Sequence, residues 1–278
     1  MTMTLAPAHR PAMPLLPRLM ADEPRFALLG ILFGLALIPT FAAMAIETRT
    51  WQDINVWVKP AKFLASLSLY ALNLALFARF MPSGMTSRAP WRAFSVLVVL
   101  CILAEMAWIG GAAALGTGSH FNRSTPTMAA LYSLMGILAI ILTSASLVQG
   151  IAIWRNRAAP LAPALRLAVG LGLVLTFALT VPVAMTLAAN GSHFVGQPAT
   201  GALLPVMGWS REVGDLRVAH FLATHAMQAV PLLGLGALAL PARAARPAVW
   251  AAAAGYTALT LAAFAQALAG QPFLPWLG

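Results

Sequence analysis

Residues 93–116 read AFSVLVVLCILAEMAWIGGAAALG, and this stretch decides the fold. A helix needs about 20 apolar residues to cross the roughly 30 Å of hydrocarbon in a bilayer. Backbone polar groups in lipid must find partners inside the protein, so a span is either a helix or a strand of a closed barrel. A continuous apolar run lacks the alternation of a barrel strand. Comparable runs lie on either side, at about 26–46, 60–80, 128–154, 167–189, 218–240 and 248–269. The chain therefore reads as an all-α polytopic membrane protein of seven transmembrane helices. These helices form one domain over 26–269, between an N-terminal tail at 1–25 and a C-terminal tail at 270–278.

Composition points the same way: 60% of the residues are hydrophobic and 9% charged, against about 25% charged in an ordinary soluble domain. The formal charge of +10 does not mark a nucleic-acid surface, because the arginines sit in short connections between apolar runs. They set orientation instead. Arg10, Arg18, Arg25, Arg79, Arg88, Arg92, Arg155, Arg157, Arg166, Arg243 and Arg246 share one side. Arg49, Lys59, Lys62, Arg123, Arg211 and Arg217 lie on the other, offset by Glu47, Asp53, Glu212 and Asp215. The positive-inside rule makes the first side cytoplasmic, with the N-terminus inside and the C-terminus outside. A multi-pass protein of a cell membrane, taken as a bacterial-type inner membrane, is the expected setting.

Ala43-Met44-Ala45 resembles a signal-peptidase site, and cleavage after Ala45 would leave six spans. The lead and the apolar stretch are long for a signal peptide, so an uncleaved first helix is expected. Cys101 is the only cysteine, which excludes an intrachain disulfide, a CxxC pair and a cysteine-rich zinc site.

Two internal echoes stand out. TGSHFN (117–122) follows the third span and NGSHFV (190–195) the fifth. WQDINVWVKPAKFLAS (51–66) precedes and enters the second span, as WSREVGDLRVAHFLAT (209–224) does the sixth. In that register Lys59 matches Arg217, Lys62 matches His220, Phe63 matches Phe221 and Ser66 matches Thr224. The pattern fits three duplicated helical hairpins of parallel orientation, followed by a lone seventh helix.

The chemistry gathers on the predicted external face. His120, His193, His220 and His225 all fall at or near the external ends of spans three, five and six, whereas His9 lies in the N-terminal tail. Neutral imidazole is the commonest protein metal ligand, so His120, His193 and His220 are candidate metal ligands, with His120 and His193 candidate cofactor-binding residues. His220 and His225 are about 140° apart on a helix and cannot chelate one ion as an i, i+4 pair. The plainer reading is that such histidines cap helices or meet lipid headgroups.

Glu105 is the sharpest single residue. A carboxylate inside a span costs about 2.5–3.5 kcal/mol even on the mildest scale, so it must be protonated, paired or wetted. His225 is its expected partner and Lys62 the competitor; these three are the candidate catalytic residues. Asp215 is placed to orient His220, with Arg217, Ser66 and Thr224 in support. Lys59, Lys62, Ser66, Tyr70 and Asn73 form a polar stripe on span two, and Arg217, Phe221, Thr224 and Gln228 one on span six, with a kink expected at Pro231.

No HExxH, P-loop, GxSxG, GxGxxG or CxxCH motif is present, and no motif decides whether the chain is an enzyme. The first expectation is a membrane protein with a haem or a transition metal held by external histidines, doing redox or metal-assisted chemistry. The alternative is a proton-coupled transporter or sensor of a small solute or lipid, without metal. A third is an assembly subunit contacting another membrane protein or a second copy of itself.

Overall fold

The computed structural model describes residues 13–277. Its helices are α1 (Leu15–Asp22), α2 (Pro24–Ile46), α3 (Val58–Ala78), α4 (Ala89–Ala114), α5 (Pro126–Arg155), α6 (Pro163–Asn190), α7 (Leu216–Thr224), α8 (Ala226–Ala237) and α9 (Ala242–Leu268). Six are long and apolar enough to cross a membrane, and the bent pair α7 with α8 brings the number to seven where the two count as one span. The chain is thus an all-α polytopic membrane protein. Proline opens α2, α4, α5 and α6 in the first turn, where its missing N–H would have no helical partner in any case.

Apolar residues cover these helices on all sides, so the arrangement of large exposed ones marks the lipid-facing surface. On α2, Leu28, Leu32, Leu35 and Ile38 are exposed while Phe26, Leu29 and Phe33 are buried, the helical spacing of one outward and one inward face. The core joins Phe26, Leu74, Val98, Ile102, Ile153, Leu173 and Met227 from α2, α3, α4, α5, α6 and α8. A second cluster packs Leu167, Leu171, Val230 and Val249 between α6, α8 and α9. Close crossings depend on glycine: a Cβ on Gly150 would stand 2.9 Å from the Gly170 carbonyl, and one on Gly172 would stand 2.8 Å from the Ala226 carbonyl. Such small-residue contacts replace the hydrophobic drive that lipid removes.

The sixth span departs from expectation. It is not a continuous helix over 218–240 kinked at Pro231: α7 and α8 meet at His225 with a bend of 55°. Pro231 cannot donate to the turn before it, and polar side chains compete for the carbonyls at the joint. Thr224 Oγ1 donates to the His220 carbonyl at 3.0 Å, His225 Nδ1 donates to the Phe221 carbonyl at 2.7 Å, and the Tyr256 hydroxyl donates to the Leu222 carbonyl at 2.7 Å. Back-bonding of this kind bends helices.

The N-terminal segment is likewise more than a tail. Residues 1–12, with His9 and Arg10, lie outside the described residues, but α1 follows and buries Leu19. Glu23, wholly buried, accepts from Arg25 Nε at 2.8 Å and from the Trp91 indole at 2.5 Å. At the other end a 3-10 turn, Pro275–Leu277, occupies the C-terminal segment. Ala45, the conceivable cleavage point, sits in the last turn of α2.

Candidate functional site

Two short antiparallel sheets shape the face that carries the histidines. Thr50–Trp51 (β1) pairs with Ile54–Asn55 (β2) across Gln52 and Asp53. Both turn residues have positive φ, as a two-residue hairpin turn that follows the strand twist requires. Asp53 therefore shapes a turn and joins none of the ion pairs found among the described residues. Phe194–Val195 (β3) pairs with Gly214–Asp215 (β4), and the Leu216 N–H donates to the His193 carbonyl at 2.9 Å. The second SHF sequence is thereby stitched to the start of α7.

Asp215 caps α7. Its Oδ1 accepts from the Arg217 N–H at 3.0 Å and its Oδ2 from the Ser210 N–H at 2.9 Å, while Arg217 Nε folds back to Oδ1 at 2.9 Å. With both oxygens engaged, Asp215 does not orient His220 as expected; it fixes Arg217 instead. Arg217 Nη2 also donates to the Gly208 carbonyl at 2.5 Å, and its guanidinium lies 5.3 Å over the Phe194 ring. Lys62 Nζ donates to the Met207 carbonyl at 3.3 Å.

Glu105 is 4% exposed and its Oε1 has no hydrogen-bond partner. The cation whose field reaches it is Lys59, in the first turn of α3. This corrects the expected Glu105–His225 pair and the competing choice of Lys62. His225 turns its ring onto Phe221, with centroids 3.9 Å apart, and bonds the Phe221 carbonyl. Its geometry serves the helix joint.

The other three histidines differ in their immediate contacts. His120 Nδ1 lies 3.1 Å from Ser119 Oγ, and its ring sits 5.4 Å from Phe63 and 6.1 Å from Tyr132. Burial holds this imidazole down at about 3, helped by the fields of Lys59 and His220. His193 stands 4.2 Å from the Phe194 ring and 6.3 Å from Phe121; burial, then Arg217, holds it at about 4. Both are neutral at pH 7. His220 Nδ1 is buried without a partner, as is Gln228 Oε1 on α8.

Among the described residues no three of His, Cys, Asp and Glu come together as a metal-binding group. Tyr132 and Phe121, 5.6 Å apart, link the surroundings of His120 to those of His193. Ser66 is exposed, Tyr70 donates to the Leu142 carbonyl at 2.8 Å and Asn73 to the Leu69 carbonyl at 2.8 Å. The span-two stripe thus divides: its first turn serves the site and its later residues bond helices.

Sequence reading missed the aromatic series Phe63, Tyr132 and Phe121, and gave Lys59 no role at Glu105. The phenylalanine following each histidine in the two SHF echoes was the available signal for Phe121. What the arrangement supplies is a polar region with Lys59, Lys62 and Arg217 as cations, neutral imidazoles, and a buried carboxyl group facing the bundle. Compared with family models, curated proteins and solved structures, the chain matches none.

Proposed function

We propose that this protein is a transporter or sensor of a small solute or lipid, with the polar site at the histidine face as its binding site and Glu105 as its protonatable group. The observation that carries the reading is the pair of buried, unpartnered polar atoms, Glu105 Oε1 and His220 Nδ1. Buried polar atoms in native proteins find partners, and one left without is explained by water, an ion or a ligand. An intramembrane carboxyl group is in addition a functional hypothesis by default.

The setting proposed is a cell membrane of bacterial inner-membrane type, with the histidine face external as the arginine bias implies. Duplication of helical hairpins is part of the proposal. It is supported by α3 and α7 starting at matched positions, Val58 and Leu216, and by a glycine on each preceding helix facing a matched carbonyl. Gly30 faces Ser68 and Gly172 faces Ala226.

The test is charge movement in proteoliposomes challenged with a panel of small carboxylates, phosphates and amines at pH 5.5 and 7.5. A solute-dependent proton-linked current that disappears in Glu105→Gln is expected. Identical currents in wild type and variant would sink the assignment of Glu105. The second reading, a haem or transition metal at His120, His193 or His220, rests on their shared membrane face. An absorption band or stoichiometric metal lost in His120→Ala and His193→Ala would favour it.

A further inference from the structure

The connection between α6 and α7 is a folded hairpin. Leu203 pairs with Ser210, the Leu204 N–H donates to the Trp209 carbonyl at 2.7 Å, and the Gly208 N–H donates to the Leu204 carbonyl at 2.8 Å. Its base is tied by Glu212, which accepts from the Thr200 N–H at 2.9 Å and the Ala202 N–H at 2.7 Å. Trp209 anchors it between Phe221 and Phe273, with centroids at 5.5 and 5.7 Å. The tip differs from the base. Val206 is 93% exposed and holds φ at +67°, a conformation unfavourable for a β-branched residue.

Two cations of the site hold this tip. Lys62 Nζ and Arg217 Nη2 donate to the carbonyls of the adjacent residues Met207 and Gly208. Lys62 makes no other side-chain hydrogen bond among the described residues. A neutral carbonyl is the weaker acceptor for such cationic donors, since an ionised oxygen adds Coulomb attraction between opposite charges to the bond. The local charge favours an oxyanion: Lys59, Lys62 and Arg217 face the buried carboxyls of Asp215, already bonded to Arg217, and Glu105, while Glu212 is engaged by the N–H groups at the hairpin base.

We infer that residues 202–211 form a lid latched by Lys62 and Arg217, and that a carboxylate- or phosphate-bearing ligand opens it by taking those two donors from the Met207 and Gly208 carbonyls. This rests on the binding-site reading above and adds to it the ligand's class and the way its arrival is registered. The strained Val206 tip favours release once the latch bonds are exchanged.

The test uses the full chain in nanodiscs, with Cys101→Ala and spin labels on Val206→Cys at the tip and Thr127→Cys on α5. The distance between labels is read by pulsed EPR. With no added solute in phosphatidylcholine, whose quaternary ammonium offsets its phosphate so that the headgroup carries no net charge, a single narrow distribution is expected, and Lys62→Gln alone should add a longer-distance population. Inorganic phosphate or acetate should produce the same population in the parent protein, and choline chloride should not. Replacing phosphatidylcholine by phosphatidylglycerol separates the sources: a lid already open there assigns the oxyanion to a lipid headgroup. An unchanged narrow distribution in Lys62→Gln, or no response to either anion and to the anionic lipid, overturns the lid. Phosphate binding that is weakened by Glu105→Gln while the lid stays shut would overturn the lid and leave the proposed function standing. A lid that opens in Lys62→Gln while no panel solute moves charge would do the reverse.

Discussion

The helices α3 and α7–α8 make an instructive pair. Each starts at the same point of the internal echo, carries a cation one residue into the helix, Lys59 or Arg217, and crosses a glycine of the preceding helix at a matched carbonyl. Yet α3 runs unbroken for 21 residues, whereas its counterpart bends by 55° after nine. The difference lies in a few polar groups. In α3, Ser68 and Tyr70 bond neighbouring helices, at the Gly30 and Leu142 carbonyls, and Asn73 alone bonds back to a carbonyl of its own helix, that of Leu69. In α7 the side chains of Thr224 and His225 bond their own helix, and Pro231 withholds a donor one turn later. Sequence similarity therefore set where the helices begin, and local hydrogen-bond competition set whether they continue.

The largest expected effect comes from filling the crossing. In Gly172→Leu the new side chain meets the Ala226 carbonyl and the Pro231 ring, each 2.8 Å from its Cβ. A loss of about 3 kcal/mol is expected, read as a lowered unfolding midpoint in detergent. In Gly30→Leu the Cβ meets chiefly the Leu72 side chain, at 2.7 Å, which can move, so a smaller loss is expected. Equal losses would mean that the two crossings are equally rigid.

Acid should separate the two SHF loops next. The unfolded chain protonates its histidines near pH 6.5, while His120 and His193 stay neutral in the fold down to about 3 and about 4. Between those limits the unfolded state binds more protons, so stability is lost as pH falls from about 6.5 toward the folded values. For His120 the loss at pH 5 is roughly 2 kcal/mol. Unfolding followed from pH 7 to pH 3 should show this slope flattened by both His120→Gln and His193→Gln, with the larger total effect for His120→Gln because its loss continues below pH 4 where that of His193 levels off; the opposite ranking would reverse the assignment of the more deeply buried imidazole.

At the bend, Tyr256→Phe strips the Leu222 carbonyl of its hydroxyl donor. A cost of about 1 kcal/mol is expected, together with faster amide exchange across the α7–α8 joint. Unchanged exchange there would show that the Tyr256 hydroxyl does not support the bend.

The smallest effects distinguish the echoed glycines. Gly118 lies against Trp51, 2.9 Å from its Cβ position to the indole nitrogen, whereas Gly191 ends α6 at φ +66° with open space around it. Alanine should cost about 1 kcal/mol at either position. Asparagine, which tolerates the left-handed region, should recover stability at 191 and not at 118. Recovery at both, measured by thermal unfolding, would erase the distinction.

Much of the architecture was legible in the chain itself. Continuous apolar runs admit few structures in lipid, because the backbone must satisfy its own hydrogen bonds there. The spans followed from that constraint. The broken sixth span was less legible, since a proline announces a kink but not the carbonyls at which the helix parts. Glu23 was missed because its charge reads as part of a polar tail until Trp91 and Arg25 are brought to it.

The sequence by itself determined that this is a polytopic helical membrane protein, because length and hydropathy act locally along the chain. Tertiary structure alone decided that Glu105 meets the field of Lys59, that Asp215 serves Arg217 instead of His220, and that aromatic rings stand among the histidines. Side-chain partners are chosen by which helix faces meet across the bundle, and that depends on contacts between residues far apart in the sequence.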